Sequence, residues 1–280
     1  MMKSFQRRIA EDVPLMTLER FTWLTGEFTE KDIQAAEHPY FKQMRETLKP
    51  QVDFRGDIAI VPVEGTLAYN PDPFEMLYYG VEDSRNILKM LQTAGANPNA
   101  EGVLLRMDTP GGMMLGGPEM ADEVAKIEKT KPVFTHIGGL GASLGYLIAS
   151  PSTKIIANKS AMVGSIGVIS SVTDWTKYLE NYGVKIEYFT NKEAKFKAAG
   201  AMGTSLSDEQ RTHIQARVDS AFALFKNVVT SNRPQVKAEA MQGQVFRGDE
   251  AVKAGLVDGT GSEEFAIGQL REEIKRRRLS

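Results

Sequence analysis

Cysteine is absent from the 280 residues, which excludes disulfides, a thiol nucleophile and thiolate metal ligands. Histidine is scarce as well. His38, His136 and His213 lie far apart and show no metal-ligand spacing, so no metal is expected, and the chemistry argued below requires no organic cofactor. No run approaches the roughly 20 apolar residues that cross a bilayer. Residues 1–11 are mixed and basic, without an apolar signal-peptide core. An excess of one charge is also missing: 34 Lys and Arg stand against 36 Asp and Glu, so nothing draws the chain to nucleic acid or to an anionic membrane. The basic run Lys275-Arg276-Arg277-Arg278 reads as a solvated helix end, where cations suit the dipole. A cytoplasmic protein without a membrane anchor is the expectation.

What is present alternates. Residues 57–63 read as a buried strand, and a polar loop follows through Asn70-Pro71-Asp72-Pro73. Residues 82–93 space their apolar side chains as a helix, with Val81, Leu88 and Leu91 on one stripe. Strands are expected over 102–107, 132–137, 154–157, 163–170 and 184–189. Helices are expected from Gly116-Gly117-Pro118 to about 129, over 144–149, and over 174–182. A long helix starts at Ser207, which forms a capping box with Gln210 and leads an apolar face of Ile214, Val218, Ala221, Phe222, Phe225 and Val229. Strands alternating with helices argue for an α/β fold with a mostly parallel sheet. A helical N-terminal arm (1–55), one catalytic domain (56–260) and a C-terminal helix (261–280) complete the expected organisation. Residues 65–79, rich in proline and aromatics, read as a surface loop and a candidate rim of a substrate groove.

The chemistry concentrates in Gly141-Ala142-Ser143-Leu144-Gly145-Tyr146, preceded by Asp108-Thr109-Pro110-Gly111-Gly112. A serine between glycines, after an apolar strand and before a helix, exposes a nucleophilic hydroxyl. The upstream glycine pair can offer backbone N–H groups to an oxyanion. A histidine-based hydrolase would need an acid and then a histidine after the serine. Only His213 follows, inside the long amphipathic helix, where it reads as a solvated residue; His136 reads as a packed core histidine. A lysine base needs no histidine, provided burial or nearby cations keep its amine neutral. The candidates lie in the stretch Asn191-Lys192-Glu193-Ala194-Lys195-Phe196-Lys197-Ala198-Ala199-Gly200.

These motifs resemble the S49 family of serine peptidases, which comprises signal peptide peptidase A and the capsid assembly proteases of tailed phages. The resemblance covers roughly residues 57–260. It continues through Gly164-Ser165-Ile166-Gly167-Val168-Ile169, Phe246-Arg247-Gly248-Asp249-Glu250-Ala251 and Ala254-Gly255-Leu256-Val257-Asp258. The Asp-Thr-Pro-Gly-Gly form, with Pro14-Leu15-Met16, looks closer to the phage members.

The resemblance implies a Clp/crotonase-like fold, with the arm and C-terminal helices serving assembly. It makes Ser143 the nucleophile, Gly112 and Leu144 the oxyanion donors, and Ser165 the residue that positions the lysine. The family lysine falls on Lys195 counting forward from Gly183 and on Lys197 counting back from Leu206. The local pattern Lys-x-x-Gly favours Lys197, with Lys195 the alternative. Leu144 stands where the family often has a smaller side chain, which leaves the backbone donor intact and bears on the substrate pocket. A polypeptide substrate and a ring-like homo-oligomer, with serine and lysine from neighbouring subunits, are further implications. Two roles follow within the enzyme class: a phage or prophage maturation protease degrading scaffold inside a procapsid, or a soluble peptidase clearing signal peptides. A non-catalytic oligomeric scaffold is the competing class.

Overall fold

The computed structural model describes residues 51–72, 75–76 and 79–279. The expected helical arm lies outside the described residues except for its last positions, of which Asp53–Arg55 form a strand, β1. Eight further strands are β2 (Ile58–Ala68), β3 (Val81–Asp83), β4 (Gly102–Gly112), β5 (Val133–Ala142), β6 (Lys154–Ala157), β7 (Met162–Gly164), β8 (Val245–Arg247) and β9 (Gly259–Thr260). The helices are α1 (Ser84–Ala96), α2 (Gly117–Glu128), α3 (Leu144–Ala149), α4 (Thr176–Asn181), α5 (Asp208–Asn232), α6 (Gly248–Lys253) and α7 (Glu263–Leu279). The α/β, Clp/crotonase-like expectation holds.

Apolar runs become central strands because both sheet faces are covered. The order is β1-β2-β4-β5-β6-β9, and every pairing along it is parallel except that of the edge strand β1. Side-chain alternation sorts β2 between two layers. Ala59, Val61 and Val63 join Ile87, Leu91, Met120 and Val124 from α1 and α2. Ile58 and Ile60, with Leu104, Phe134 and Ile156, face Ala266, Leu270 and Ile274 of α7. Each fully buried aliphatic side chain contributes about 1.5–3 kcal/mol relative to exposure, so α7 is bound into the same sheet as the rest of the chain.

The basic run closes α7 as a solvated helix end. Lys275 pairs with Glu272, Arg276 with Glu273, Arg277 with Glu128 and Glu273, and Arg278 with Glu101. All four cations are thus committed within the chain.

Three strands run longer than expected, and the extensions matter. β4 continues through the glycine pair, β5 runs to Ala142, and β2 takes in residues 64–68 of the expected loop. Two expectations fail. The strand expected over 163–170 stops at Gly164, and residues 184–189 form no strand. Their alternation suits a sheet edge, but no partner strand lies beside them among the described residues. Ile169 is 95% exposed and Phe189 93% exposed.

A buried polar clamp ties the C-terminal part to the sheet. Arg233, with its side chain only 4% exposed, pairs with Asp258 at 2.8 Å. The same carboxylate oxygen accepts the Ile155 N–H at 2.7 Å. Nearby, the Tyr146 hydroxyl donates to the Leu256 carbonyl at 2.7 Å, and burial pushes its titration well above the usual phenol range. Asp258→Ala would leave the buried Arg233 guanidinium without its carboxylate. It is expected to lower stability by about 3 kcal/mol, read as a lower denaturation midpoint at unchanged m value; a midpoint within error of wild type would refute the clamp.

Candidate active site

The site forms where the ends of β2, β4, β5 and β7 converge. The β2–β4 register slips between Glu64 and Thr66, and Gly65 takes a positive φ of 71°. Thr109 stitches this bulge: its hydroxyl donates to the Gly65 carbonyl and accepts the Gly111 N–H. Leu67 then pairs with Gly112, so closely that a Cβ on Gly112 would overlap the Leu67 carbonyl oxygen. At Gly111, with φ 90°, a Cβ would sit 2.7 Å from the Leu144 nitrogen and 2.8 Å from the Ser143 Cβ. Gly111 is therefore required by a close backbone approach to the serine turn, and Gly112 by its close pairing with Leu67 of β2.

Ser143 occupies that turn in a sparsely populated conformation, φ 52° and ψ −122°. An L-residue held there stores strain that the surroundings must offset. The turn is anchored by its N–H, which donates to the Gly164 carbonyl at 2.8 Å. Because Ala142 pairs with Gly164, Ser143 and Ser165 directly follow the paired ends of the adjacent parallel strands β5 and β7. Ser165 is strained in the same sense, φ 50°, and its N–H donates to the Gln244 carbonyl at 2.6 Å. Leu144 opens α3, so its N–H has no acceptor within the helix. Its side chain is buried, and a Cβ on Gly117 would overlap it. Leu144 therefore fills the core beside α2 rather than lining the substrate pocket.

Ser143 opens into a cleft of about 810 Å³. Residues 66–72 form one wall, which places the expected groove rim at the site. Gly112, Met113 and Met114 continue the lining, with residues 167–170 and, from α5, Ile214, Arg217, Val218 and Ala221. The apolar face of α5 is thus divided: Phe225 and Val229 are buried in the core, whereas Ile214, Val218 and Ala221 line the cleft. Sequence reasoning missed Arg217, although its spacing from Ile214 and Ala221 puts it on the same face.

Ser143 and Gly112 share the cleft, and Leu144 follows Ser143 in the turn; Ser165 follows the end of β7 without lining the cleft, and the lysines do not join them within one chain. Lys195 and Lys197 sit in an exposed segment, and neither lines the cleft. Lys195 instead faces Glu209 at 3.4 Å. Neither has the apolar enclosure that a lysine base needs. His213 is exposed on α5 with its ring against Phe196, and His136 is only 4% exposed in β5. Both histidines stand where the sequence reading put them. No cluster of metal-ligating residues occurs among the described residues, and no described helix is long and apolar enough to cross a membrane.

One carboxyl at the rim is unusual. Glu82 belongs to β3, next to the cleft-lining Val81. Its Oε1 is buried without a hydrogen-bond partner, as is the Ser84 hydroxyl. Burial pushes this carboxyl up to about 7 from its ordinary 4.5, only partly offset by a hydrogen bond with Asn86.

The sequence model of peptidase family S49 matches residues 125–277. Capsid assembly protease C of Escherichia phage lambda is 32% identical over 224 residues, covering 79% of this chain and 50% of that protein. A putative signal peptide peptidase SppA of Enterococcus faecium is 35% identical over 195 residues, covering 68% and 56%. Head-tail preconnector protein GP5 of Enterobacteria phage P21 is 30% identical over 204 residues, covering 72% and 40%. The chain spans about half the length of these curated relatives.

Glu82 makes stability pH-dependent in a defined direction. Its folded titration lies above the unfolded one, so its stabilising effect is complete below about 4.5 and is lost as pH rises through about 7. The side chain is partly solvated, and after screening the loss is about 1–2 kcal/mol. Glu82→Gln is expected to match wild type at pH 5 and exceed it at pH 8 in denaturant unfolding. An equal difference at both pH values would refute this assignment.

Proposed function

The chain belongs to peptidase family S49, and we propose that it acts as a serine endopeptidase with Ser143 as nucleophile and a lysine as general base. The observation that carries this reading is the strained turn that presents Ser143 to a cleft shared with Gly112. In the proposed cycle, a neutral lysine takes the Ser143 proton as the oxygen attacks a peptide carbonyl. The Gly112 and Leu144 N–H groups hold the resulting oxyanion, each worth about 2.7–4 kcal/mol of barrier. The lysine then protonates the leaving amine, and water hydrolyses the acyl-enzyme. Lys197 is the proposed base, with Lys195 the alternative, and Ser165 positions it.

The exposed lysine segment supports a dyad shared between subunits of a ring-like homo-oligomer. Residues 165–206 carry Ile169 and Phe189 almost fully exposed, without strand partners among the described residues. Packing of a second copy there would supply the enclosure that the lysine lacks in one chain. For the biological role, we infer a capsid maturation protease acting on scaffold polypeptide. Similarity to the capsid assembly protease over 79% of the chain supports it, as does the Asp-Thr-Pro-Gly-Gly stretch. The second reading, a peptidase that clears signal peptides, is supported by the 35% identity to a putative signal peptide peptidase.

Cleavage of casein or a fluorogenic peptide tests the mechanism. Ser143→Ala and one of Lys197→Ala and Lys195→Ala are expected to lose about a thousandfold or more in kcat. Co-assembled Ser143→Ala and lysine-variant subunits are expected to recover part of the activity, because some interfaces then pair an intact serine with an intact lysine. Full activity in Ser143→Ala would overturn the mechanism. An active monomer would overturn the shared dyad.

A further inference from the structure

Arg217 is the one cation among the described residues that line the cleft. It projects from α5 on the same face as Ile214, Val218 and Ala221, so a guanidinium is set into an apolar stripe. Most described arginines are already neutralised: Arg55, Arg85, Arg106, Arg233, Arg271, Arg276, Arg277 and Arg278 are all in ion pairs. The exceptions are Arg211, Arg217 and Arg247, and of these Arg217 alone lines the cleft. Two carboxylates, Asp72 and Glu75, belong to the opposite wall, but they are engaged with each other's backbone. The Glu75 N–H donates to Asp72 Oδ1 at 2.8 Å, and the Asp72 N–H donates to Glu75 Oε2 at 3.1 Å.

We propose that Arg217 is a specificity-determining residue that binds a carboxylate of the extended polypeptide in the cleft, with Ile214, Val218 and Ala221 taking its apolar neighbours. The proposal rests on the peptidase reading of Ser143. A guanidinium presents paired N–H donors in a planar fork that matches a carboxylate. Aspartate or glutamate side chains and a free C-terminus offer the same chemistry, and the substrates below separate them.

The test uses the full chain and fluorogenic peptides carrying glutamate, glutamine or lysine at each position flanking the scissile bond in turn, with the C-terminus free or amidated. Wild type is expected to favour glutamate over glutamine at one position by about tenfold in kcat/KM. If the C-terminal carboxylate is the ligand, the preference appears between free and amidated peptides instead. Arg217→Gln is expected to bring the ratio close to one, and Arg217→Glu to invert it toward lysine, a gain that a misfolded variant could not produce. Asp72→Asn is expected to keep the wild-type ratio. The proposal is overturned if wild type shows no preference at any position and none between free and amidated C-termini, if the preference survives Arg217→Gln, or if Asp72→Asn abolishes it equally. Binding of the same peptides to Ser143→Ala, followed by fluorescence anisotropy, separates the two levels. A retained carboxylate preference without any wild-type cleavage would sink the peptidase reading alone, and efficient cleavage without the preference would sink the role of Arg217 alone.

Discussion

The candidate site depends on how closely the backbone of β4 approaches the turn that ends β5. Gly111 lies against the Leu144 nitrogen and Ser143, and Gly112 lies against the Leu67 carbonyl. That approach is possible only without side chains at these two positions. Beside Gly111, Ser143 takes its positive-φ conformation, and its N–H is held by the Gly164 carbonyl. The strain at Ser143 and Ser165 is local, at order 1–3 kcal/mol each. The parallel ladder of β2, β4, β5 and β7 over-determines it.

The rest of the molecule makes this approach rigid. The sheet is buried on both faces, by α1, α2 and α3 on one side and by α7 on the other. The Arg233–Asp258 pair and the Tyr146 hydroxyl bond draw the C-terminal part onto β6 and the helix that follows the serine. α5 then divides its apolar face between core and cleft. Phe225 and Val229 anchor its C-terminal half, and Ile214, Arg217, Val218 and Ala221 become a cleft wall. A helix that is only half anchored can present side chains to a ligand without losing its position.

Much of this was legible in one dimension. The run of residues 57–63, the Ser207–Gln210 capping box and the serine between glycines correspond to β2, the start of α5 and the β5–α3 turn. They were readable because period, caps and glycines report local backbone preferences. Residues 184–189 misled for the opposite reason. Alternation records that one face is meant to be covered, but it does not name the partner, and no sheet edge lies beside them among the described residues. The strands β3, β8 and β9 were invisible because two or three residues carry no period. Arg217 was passed over because a helix face reads as core until something is seen opposite it.

The sequence by itself determined the α/β class, the apolar runs that become the central strands, and the glycine–serine pattern that makes an exposed hydroxyl possible. These are local properties, set by side-chain size, period and backbone freedom over a few neighbours. Only the tertiary structure decided that Gly112 and Ser143 meet in one cleft, that Leu144 turns into the core, and that the lysine segment stands apart in a single chain. Those outcomes depend on strand register and on which surfaces are left uncovered. Both are fixed by contacts between residues far apart in sequence, which no local pattern encodes.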